Sequence, residues 1–448
     1  MRLFLVGAGH VGLVTAVGMA KLGHEVVVSD VDAARIDRLQ AGEPPMFEPG
    51  LREALIELGP RVTFTTDPLP PAGVAFSFVV VNTPTDAAGP LSLRNVRAAV
   101  AGLLAATDAG HTIVVRSTLP LNGPAALAEL RAGRADQAAL VTNPEFMREG
   151  SALRDFEQPG RLVTGWVEPR DEPAARAVID LYDGIEADRL VADAGSVALI
   201  KLGSNVFLAM KVAYANELAR LSEAVGADVR AVADGIGLDP RIGRAFLDAG
   251  PGFGGSCLPE QATALTVESA RAAVDAPLIA AVERSNERHQ AAIVERLARL
   301  LGGSVRGSRV AVLGLAFKAN TDDVRQSPAL AIVRLLRDAG ASVVATDPRA
   351  VPRARLADPA LETAVDPEAA VAGADALVIA TEWQEYRSLA WGPIAAAMRG
   401  DLVFDTRSVA DPTAVADAGL RLVALGRPDD RFAAPPERTE IVAGRSAP

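Results

Sequence analysis

The only cysteine of this 448-residue chain, Cys257, stands in the stretch Gly250 to Gln261, GPGFGGSCLPEQ. A single thiol forms no internal disulfide. Glycines at 250, 252, 254 and 255, with Pro259 behind the cysteine, describe a turn whose backbone approaches a neighbour closely while side chains are kept away. At the rim of such a turn a thiol serves as a nucleophile when a cation or helix N-terminus favours its thiolate; the plainer alternative is a small buried hydrophobe. A second group lies in NPEFMREG, where Glu145 and Glu149 flank Arg148, a pattern also expected of a solvated helix face. Lys201 and Asn205, four apart on a stripe continued by Leu208 and Val212, either face a polar site or place a charge that snorkels to water. Lys318, followed by Asp322, Asp323 and Arg325, forms a further charge cluster.

These groups need elements to hold them. Residues 2–6 form an apolar run that feeds Gly7-Ala8-Gly9-His10-Val11-Gly12; a helical pattern then runs to Gly23, and a second run, 25–29, ends at Asp30. Strand, glycine loop, helix, strand and acid follow one another. The first glycine makes the tight turn, the second lets a pyrophosphate reach the backbone, and the third lets helix and strand pack. Asp30 is placed to accept hydrogen bonds from a ribose diol, and an acid there favours NAD over NADP. Runs at 75–81 and 112–115 end in Asn82-Thr83-Pro84-Thr85 and Arg116-Ser117-Thr118-Leu119-Pro120. In an open parallel sheet Thr83 and Thr118 face the cofactor, unless they merely cap helices or form turns. The run 139–142 leads into the Glu145 segment.

Residues 196–225 contain no proline, and their apolar positions recur at helical spacing, which predicts a helix of about thirty residues, roughly 45 Å long. Beyond Gly307 the opening order repeats in outline, with runs at 309–313, 342–346, 376–381 and 402–406. The expected fold is α/β, with two Rossmann-like parallel-sheet domains joined by a long central helix. The second sheet lacks the glycine fingerprint, so it need not bind a dinucleotide. The chain from about Asp430, with Pro435 and Pro436, reads as a mobile tail.

A net charge of −11 argues against nucleic acid or an anionic membrane as partner. The first residues imitate a secretion signal, but glycines at 7, 9 and 12 interrupt the apolar run and Lys21 ends it, so a soluble cytoplasmic protein is expected. No eighteen uninterrupted apolar residues occur, and no spanning helix is expected. Four scattered histidines and one cysteine offer no metal cluster.

Over nearly its whole length the chain resembles the UDP-glucose 6-dehydrogenase family of nucleotide-sugar dehydrogenases, which oxidise a primary alcohol to a carboxylate. The landmarks are GAGHVG, Glu48-Pro49-Gly50-Leu51, NTPT, RSTLP, NPEFMREG, KLGSN, DPRIG, GFGGSCLP, GLAFKANTDDVRQSP and TEW, in the family's order. The GGSC form is closer to the UDP-glucose branch than to the N-acetylhexosamine branch, where a histidine commonly precedes the cysteine.

The resemblance implies NAD as cofactor and UDP-glucose or a related nucleotide sugar as substrate. It makes Cys257 the nucleophile that carries a thiohemiacetal and then a thioester, Lys201 and Asn205 the donors to the oxyanion, Thr118 the holder of a water, and Glu145 the base for hydrolysis. It assigns Arg35, Thr83, Glu149 and Arg325 to the cofactor beside the glycine loop, and Phe146, Met147, Arg148, Phe246, Phe253, Gly254, Lys318 and Arg407 to the sugar nucleotide. Arg241 reaches the substrate of a neighbouring subunit in a homodimer or a multiple of dimers. The implied domains are 1–195 for NAD, 196–300 for the central helical and dimerisation part, 301–430 for the nucleotide sugar, and 431–448 as tail. One departure stands out: Gln261 occupies the position of the family's aspartate, and an amide can hold a water but cannot accept a proton. Alternatives are therefore the same chemistry on a dTDP- or GDP-sugar, or a binding homologue with impaired turnover.

Overall fold

The computed structural model describes residues 1–84, 91–132 and 137–427; Thr85 and the expected tail 431–448 lie outside the described residues. The chain divides into two compact units, one made of residues 1–206 with 260–280 and the other of 207–259 with 281–448.

The first unit holds a sheet of eight strands: β1 (Arg2–Val6), β2 (Glu25–Ser29), β3 (Val62–Thr65), β4 (Phe76–Val79), β5 (Thr112–Val115), β6 (Ala139–Thr142), β7 (Arg161–Trp166) and β8 (Asp188–Asp193). Their order is β3-β2-β1-β4-β5-β6-β7-β8, so the direction of winding reverses between β1 and β4. A crevice at such a switch point is where an open α/β sheet binds its ligand. Alternate residues of β1 serve opposite faces: Leu3 and Leu5 pack with Leu13 and Val17, whereas Phe4 packs with Val100 and Ile113. Burial on both faces is why the central strands read as continuous apolar runs rather than alternating ones.

The sheet is parallel, as expected, except at one place. Strands β6 and β7 run antiparallel, with Val141 opposite Trp166. A parallel partner needs a crossover that covers a sheet face. Here the connection carries only the short helix Ala152–Glu157, which packs on the helix His10–Lys21, where Gly18 makes room for the ring of Phe156.

The second unit holds six strands, β9 (Arg309–Leu313), β10 (Ser342–Thr346), β11 (Glu362–Thr363), β12 (Ala376–Ile379), β13 (Leu402–Asp405) and β14 (Arg421–Ala424), in the order β11-β10-β9-β12-β13-β14. Every pairing in it is parallel.

The long helix spans Ala194–Val225, 32 residues. By length and composition it is apolar enough to cross a membrane. Two of its polar side chains are packed in protein: Lys201 is 3% exposed and Asn216 fully buried.

Candidate active site

The first glycine of the fingerprint sits at φ +118°, and a Cβ there would lie 2.6 Å from the carbonyl oxygen of Val80. Only glycine fits that turn. A Cβ on Gly12 would strike the Gly7 carbonyl, whereas one on Gly9 would meet nothing within 4 Å. The open space at Gly9 faces the start of the helix His10–Lys21, which no side chain caps. Uncapped backbone amides at a helix N-terminus suit a pyrophosphate. Asp30 closes this end of the site: its Oδ2 accepts from the Ala8 amide at 2.8 Å and from Arg35 at 2.9 Å, and its Oδ1 from the Asp32 amide at 3.0 Å. Arg35 thus lies beside the acid that sequence assigns to the ribose. Thr83 and Thr118 follow the paired strands β4 and β5, at the same edge as the glycine turn, and both are half-buried in loops.

His10 and Val11 open the helix. The His10 imidazole meets Glu48 Oε2 at 2.7 Å, and Glu48 also accepts from the amides of Gly150 (2.7 Å) and Ala152 (2.9 Å). Burial pulls the His10 pKa down, but the Glu48 hydrogen bond, with Glu149, Glu48 and Glu145 acting through their charges, carries it above its usual value. Glu48 therefore ties the glycine loop to the turn holding Glu149 and Gly150. In sequence it was one landmark residue among many.

The segment after β6 is loop, not the solvated helix face offered as the plain alternative, and Glu145 is buried within it. Lys201 donates to the Glu145 carbonyl at 2.6 Å and to its Oε1 at 3.1 Å, while the Met147 amide donates to Oε2 at 2.6 Å. Burial pushes the Glu145 carboxyl up; Lys201, the Met147 amide and Arg116 outweigh it and hold the group ionised below the usual carboxylate range. The snorkelling alternative for Lys201 is excluded by the same contacts. The ring of Phe146 carries the Arg161 guanidinium at 3.9 Å and the Lys201 ammonium at 5.3 Å. Arg148 turns away to pair with Asp155 at 2.7 Å. One helical turn beyond Lys201, Asn205 donates to Gln261 Oε1 at 2.9 Å, and both residues are buried. Beneath this group Arg116 donates to Thr15 (3.0 Å), Asn143 Oδ1 (2.7 Å) and the Tyr182 hydroxyl (3.0 Å), a support that no local motif announced.

In the second unit Cys257 is the first residue of the helix Cys257–Arg271, and it is exposed rather than a buried hydrophobe. The turn before it is clamped by side chains that hold its backbone. Asn286 accepts from the Phe253 amide at 2.9 Å and donates to the Phe253 carbonyl at 3.0 Å, and Phe253 itself is buried. Gly252, at φ +127°, leaves no room for a Cβ, which would lie 2.6 Å from Asn286 Oδ1. Phe246 also has a positive φ, 64°.

Phe317 is the hub of the remaining residues. A Cβ on Gly255 would touch its ring at 3.0 Å, Arg407 donates to its carbonyl at 3.3 Å, and the Lys318 ammonium lies 5.3 Å from its ring. Arg407 further donates to the Ala380 carbonyl and pairs with Glu382 at 3.0 Å. Arg325 is paired with Asp323 at 2.6 Å and offers its carbonyl to the Gly255 amide. Gly254 is pressed against Pro328 Cδ, 2.7 Å from its would-be Cβ. The fold therefore gathers Gly254, Lys318, Arg325 and Arg407. Arg241 stands apart, its side chain 87% exposed and paired with Asp239 at 2.6 Å.

Three family models match in chain order: the NAD binding domain of the UDP-glucose/GDP-mannose dehydrogenase family over residues 1–186, its central domain over 196–288 and its UDP binding domain over 311–412. A UDP-glucose 6-dehydrogenase from Rhizobium meliloti is 40% identical over 440 residues, covering 96% of this chain and all of that protein. The chain belongs to the UDP-glucose/GDP-mannose dehydrogenase family. As a member it is an NAD-dependent nucleotide-sugar dehydrogenase, and the open Gly9, the uncapped helix and Asp30 are residues that fit NAD. Among solved structures, a UDP-glucose dehydrogenase from Pyrobaculum islandicum superposes with TM-score 0.81 at 37% identity, covering 91% of this chain and 94% of that one. A UDP-D-ManNAc dehydrogenase from Pyrococcus horikoshii gives TM-score 0.83 at 26% identity, covering 96% and 100%. Family members of different sugar specificity thus share this backbone.

Proposed function

We propose that this family member oxidises UDP-glucose to UDP-glucuronate, removing four electrons through covalent intermediates on Cys257. What carries the proposal is the buried Lys201–Glu145 pair one helical turn from Asn205 and Gln261, an ionised carboxylate and fixed donors in a water-poor setting. NAD, when bound, accepts hydride. The C6 alcohol loses a hydride and a proton to give the aldehyde, and the Cys257 sulfur adds to its carbonyl as a thiohemiacetal. A second hydride and proton leave, producing the thioester. Water held by Thr118 and deprotonated by Glu145 then attacks the thioester, releasing the carboxylate and the thiol. Two NAD and one water are consumed for each sugar. Lys201 and Asn205 supply donors to the oxyanion that forms at both addition steps. The functional partition is 1–195 for NAD, 196–300 for the central part and 301–430 for the nucleotide sugar, with Phe246, Phe253, Lys318 and Arg407 on the substrate.

UDP-glucose is favoured by the names of the relatives at 40% and 37% identity and by the GGSC sequence. Gln261 supports a second version, in which binding is intact and turnover is slow. It lies four residues beyond Cys257 on one helix and so shares its face, yet it carries no charge. One experiment separates these: NADH formation by wild type and Gln261→Asp on UDP-glucose, a dTDP-hexose and a GDP-hexose, each with NAD or NADP. We expect two NADH per UDP-glucose and weak use of NADP, whose 2′-phosphate Asp30 repels. We also expect a steady-state gain of about 10² or more in Gln261→Asp, the scale of a restored proton-transfer group. Turnover of another sugar nucleotide in place of UDP-glucose removes the substrate assignment, and an unchanged or lower rate in Gln261→Asp shows that the glutamine is tuned to this enzyme.

The working assembly we propose is a homodimer or a multiple of it. Phe207, Tyr214 and Leu221 recur every seven residues on the long helix, and with Val225 all are more than half exposed. A second copy covers such an apolar stripe and gives Arg241 a partner's substrate to reach. Sedimentation velocity at assay concentration should show no monomer; a fully active monomer overturns the assembly.

A further inference from the structure

The second unit contains a cavity of about 510 Å³ that the dehydrogenase chemistry leaves without a role. Arg220, Arg288, Arg296, Arg299, Arg427 and His289 line it. Among the described residues two carboxylates share the lining, and both are engaged at its wall: Glu223 by Arg296, and Glu295 by Arg288 at 2.7 Å. Arg427 is also paired with Asp228 at 3.0 Å and Arg220 lies 3.8 Å from Glu217, so five guanidinium groups meet four carboxylates, a local excess of one positive charge on a chain whose net charge is −11. Ala292, Ile293 and Leu425 supply an apolar floor. Planar guanidinium forks around a concave, partly apolar space recognise phosphate oxygens.

The back wall of this cavity reaches the cysteine loop. Arg220 donates to His289 Nδ1 at 2.8 Å, and His289 Nε2 donates to the Gly250 carbonyl at 2.8 Å. The direction of both bonds follows from chemistry: an arginine is always a donor, so Nδ1 must be the acceptor and Nε2 must carry the proton. Burial first, and then the Arg220 charge, push the His289 pKa down to about 4, so the ring stays neutral and this arrangement persists at neutral pH. The Gly250 amide is held as well, donating to Asn216 Oδ1 at 2.9 Å. Gly250 is thus fixed through both backbone groups, seven residues before Cys257.

We infer that this cavity is a binding site for a small phosphate-bearing polyanion, and that its occupant, by engaging Arg220, acts through His289 and Gly250 on the loop that presents Cys257. A ligand oxygen that recruits the Arg220 N–H groups competes with His289 for them. Nδ1 then loses its donor, and the His289 ring, no longer held from that side, repositions the Nε2–H that it gives to the Gly250 carbonyl.

Inorganic pyrophosphate is the probe, titrated calorimetrically into the full chain with NAD at saturation so that the dinucleotide site is occupied. The rate of Cys257 alkylation by iodoacetamide, with and without pyrophosphate, is the second measurement. The comparison protein is the double variant Arg288→Glu with Arg299→Glu, two exposed positions at the cavity; its thermal midpoint should match wild type within a few degrees, as expected for surface changes. We expect saturable binding in wild type, at least tenfold weaker in the variant, and an alkylation rate that changes by about fivefold or more on binding in wild type only. Absence of saturable binding, equal binding by the variant, or bound pyrophosphate that leaves alkylation unchanged overturns the inference. Neither measurement requires turnover, so the outcome is independent of the substrate assignment above.

Discussion

Cys257→Ser is expected to form no uronate from UDP-glucose, while NAD still binds with wild-type affinity. The residue is exposed at the first position of its helix, so exchanging sulfur for oxygen removes no core contact and should change stability by less than about 0.5 kcal/mol. Chemistry is affected on a different scale. A serine hydroxyl, un-ionised at neutral pH, is a poorer nucleophile than a thiolate, its alkoxide is a poorer leaving group in hydrolysis, and removal of a covalent nucleophile costs on the order of 10⁴ or more in turnover. Because the chain has one cysteine, mass spectrometry gives a clean parallel check: a substrate-derived adduct on wild type quenched during turnover, and none on the variant. Acid formation by Cys257→Ser at a rate within tenfold of wild type eliminates the thioester route.

With the oxyanion role proposed for Lys201, Lys201→Met is expected to lose about 10² to 10³ in kcat, the usual effect of deleting one such donor, and also to invert part of the protein's pH response. In wild type the Glu145 carboxyl is held below its ordinary range, so the folded chain binds fewer protons there than the unfolded one. Its contribution to stability is present above the unfolded-state pKa and is lost as pH falls through the folded-state value. Removing the lysine leaves burial, the largest influence on Glu145 and one that favours the neutral acid, opposed only by the Met147 amide and Arg116. The carboxyl then moves upward, and the variant loses stability as pH rises, because ionising an unpaired buried acid is costly. Thermal midpoints measured across the range from about pH 5 to 8 test this: flat or rising in wild type, falling in Lys201→Met. Parallel profiles for the two proteins show that Lys201 does not govern Glu145.

Sequence disclosed the parts of this molecule whose logic is local. The glycine fingerprint with Asp30 is such a part, since turn, helix start and acid lie within one strand-helix-strand unit, and each glycine occupies the space that its role requires. The long helix was legible from its period within two residues of its start. Lys201 was ambiguous because a cation on an apolar stripe has two solutions, and the choice is made by Glu145, 56 residues earlier. Glu48 stood as a landmark without a role for the same reason, as the amides it binds lie more than 100 positions away. Asn286 and His289 gave no signal at all: each sits in an ordinary amphipathic helix, and only the folded chain brings them to the backbone of 250–253. Strands β8 and β11 escaped notice because one is largely exposed and the other two residues long. The antiparallel β7 cannot be read from composition, since strand direction depends on where the return path finds cover.

The division into two compact units crosses the chain three times, after residues 206, 259 and 280, and each crossing lies inside a helix: Ala194–Val225, Cys257–Arg271 and Pro277–Leu300. Domains that evolution exchanges as modules are joined by exposed loops, where a cut severs few hydrogen bonds. Here a cut at any crossing severs a helical ladder in mid-turn. Neither unit can be inherited, expressed or recombined without a fragment of the other, so gene fusions and chimeras of this enzyme should succeed only when the whole chain from Ala194 to Leu300 is taken from one parent.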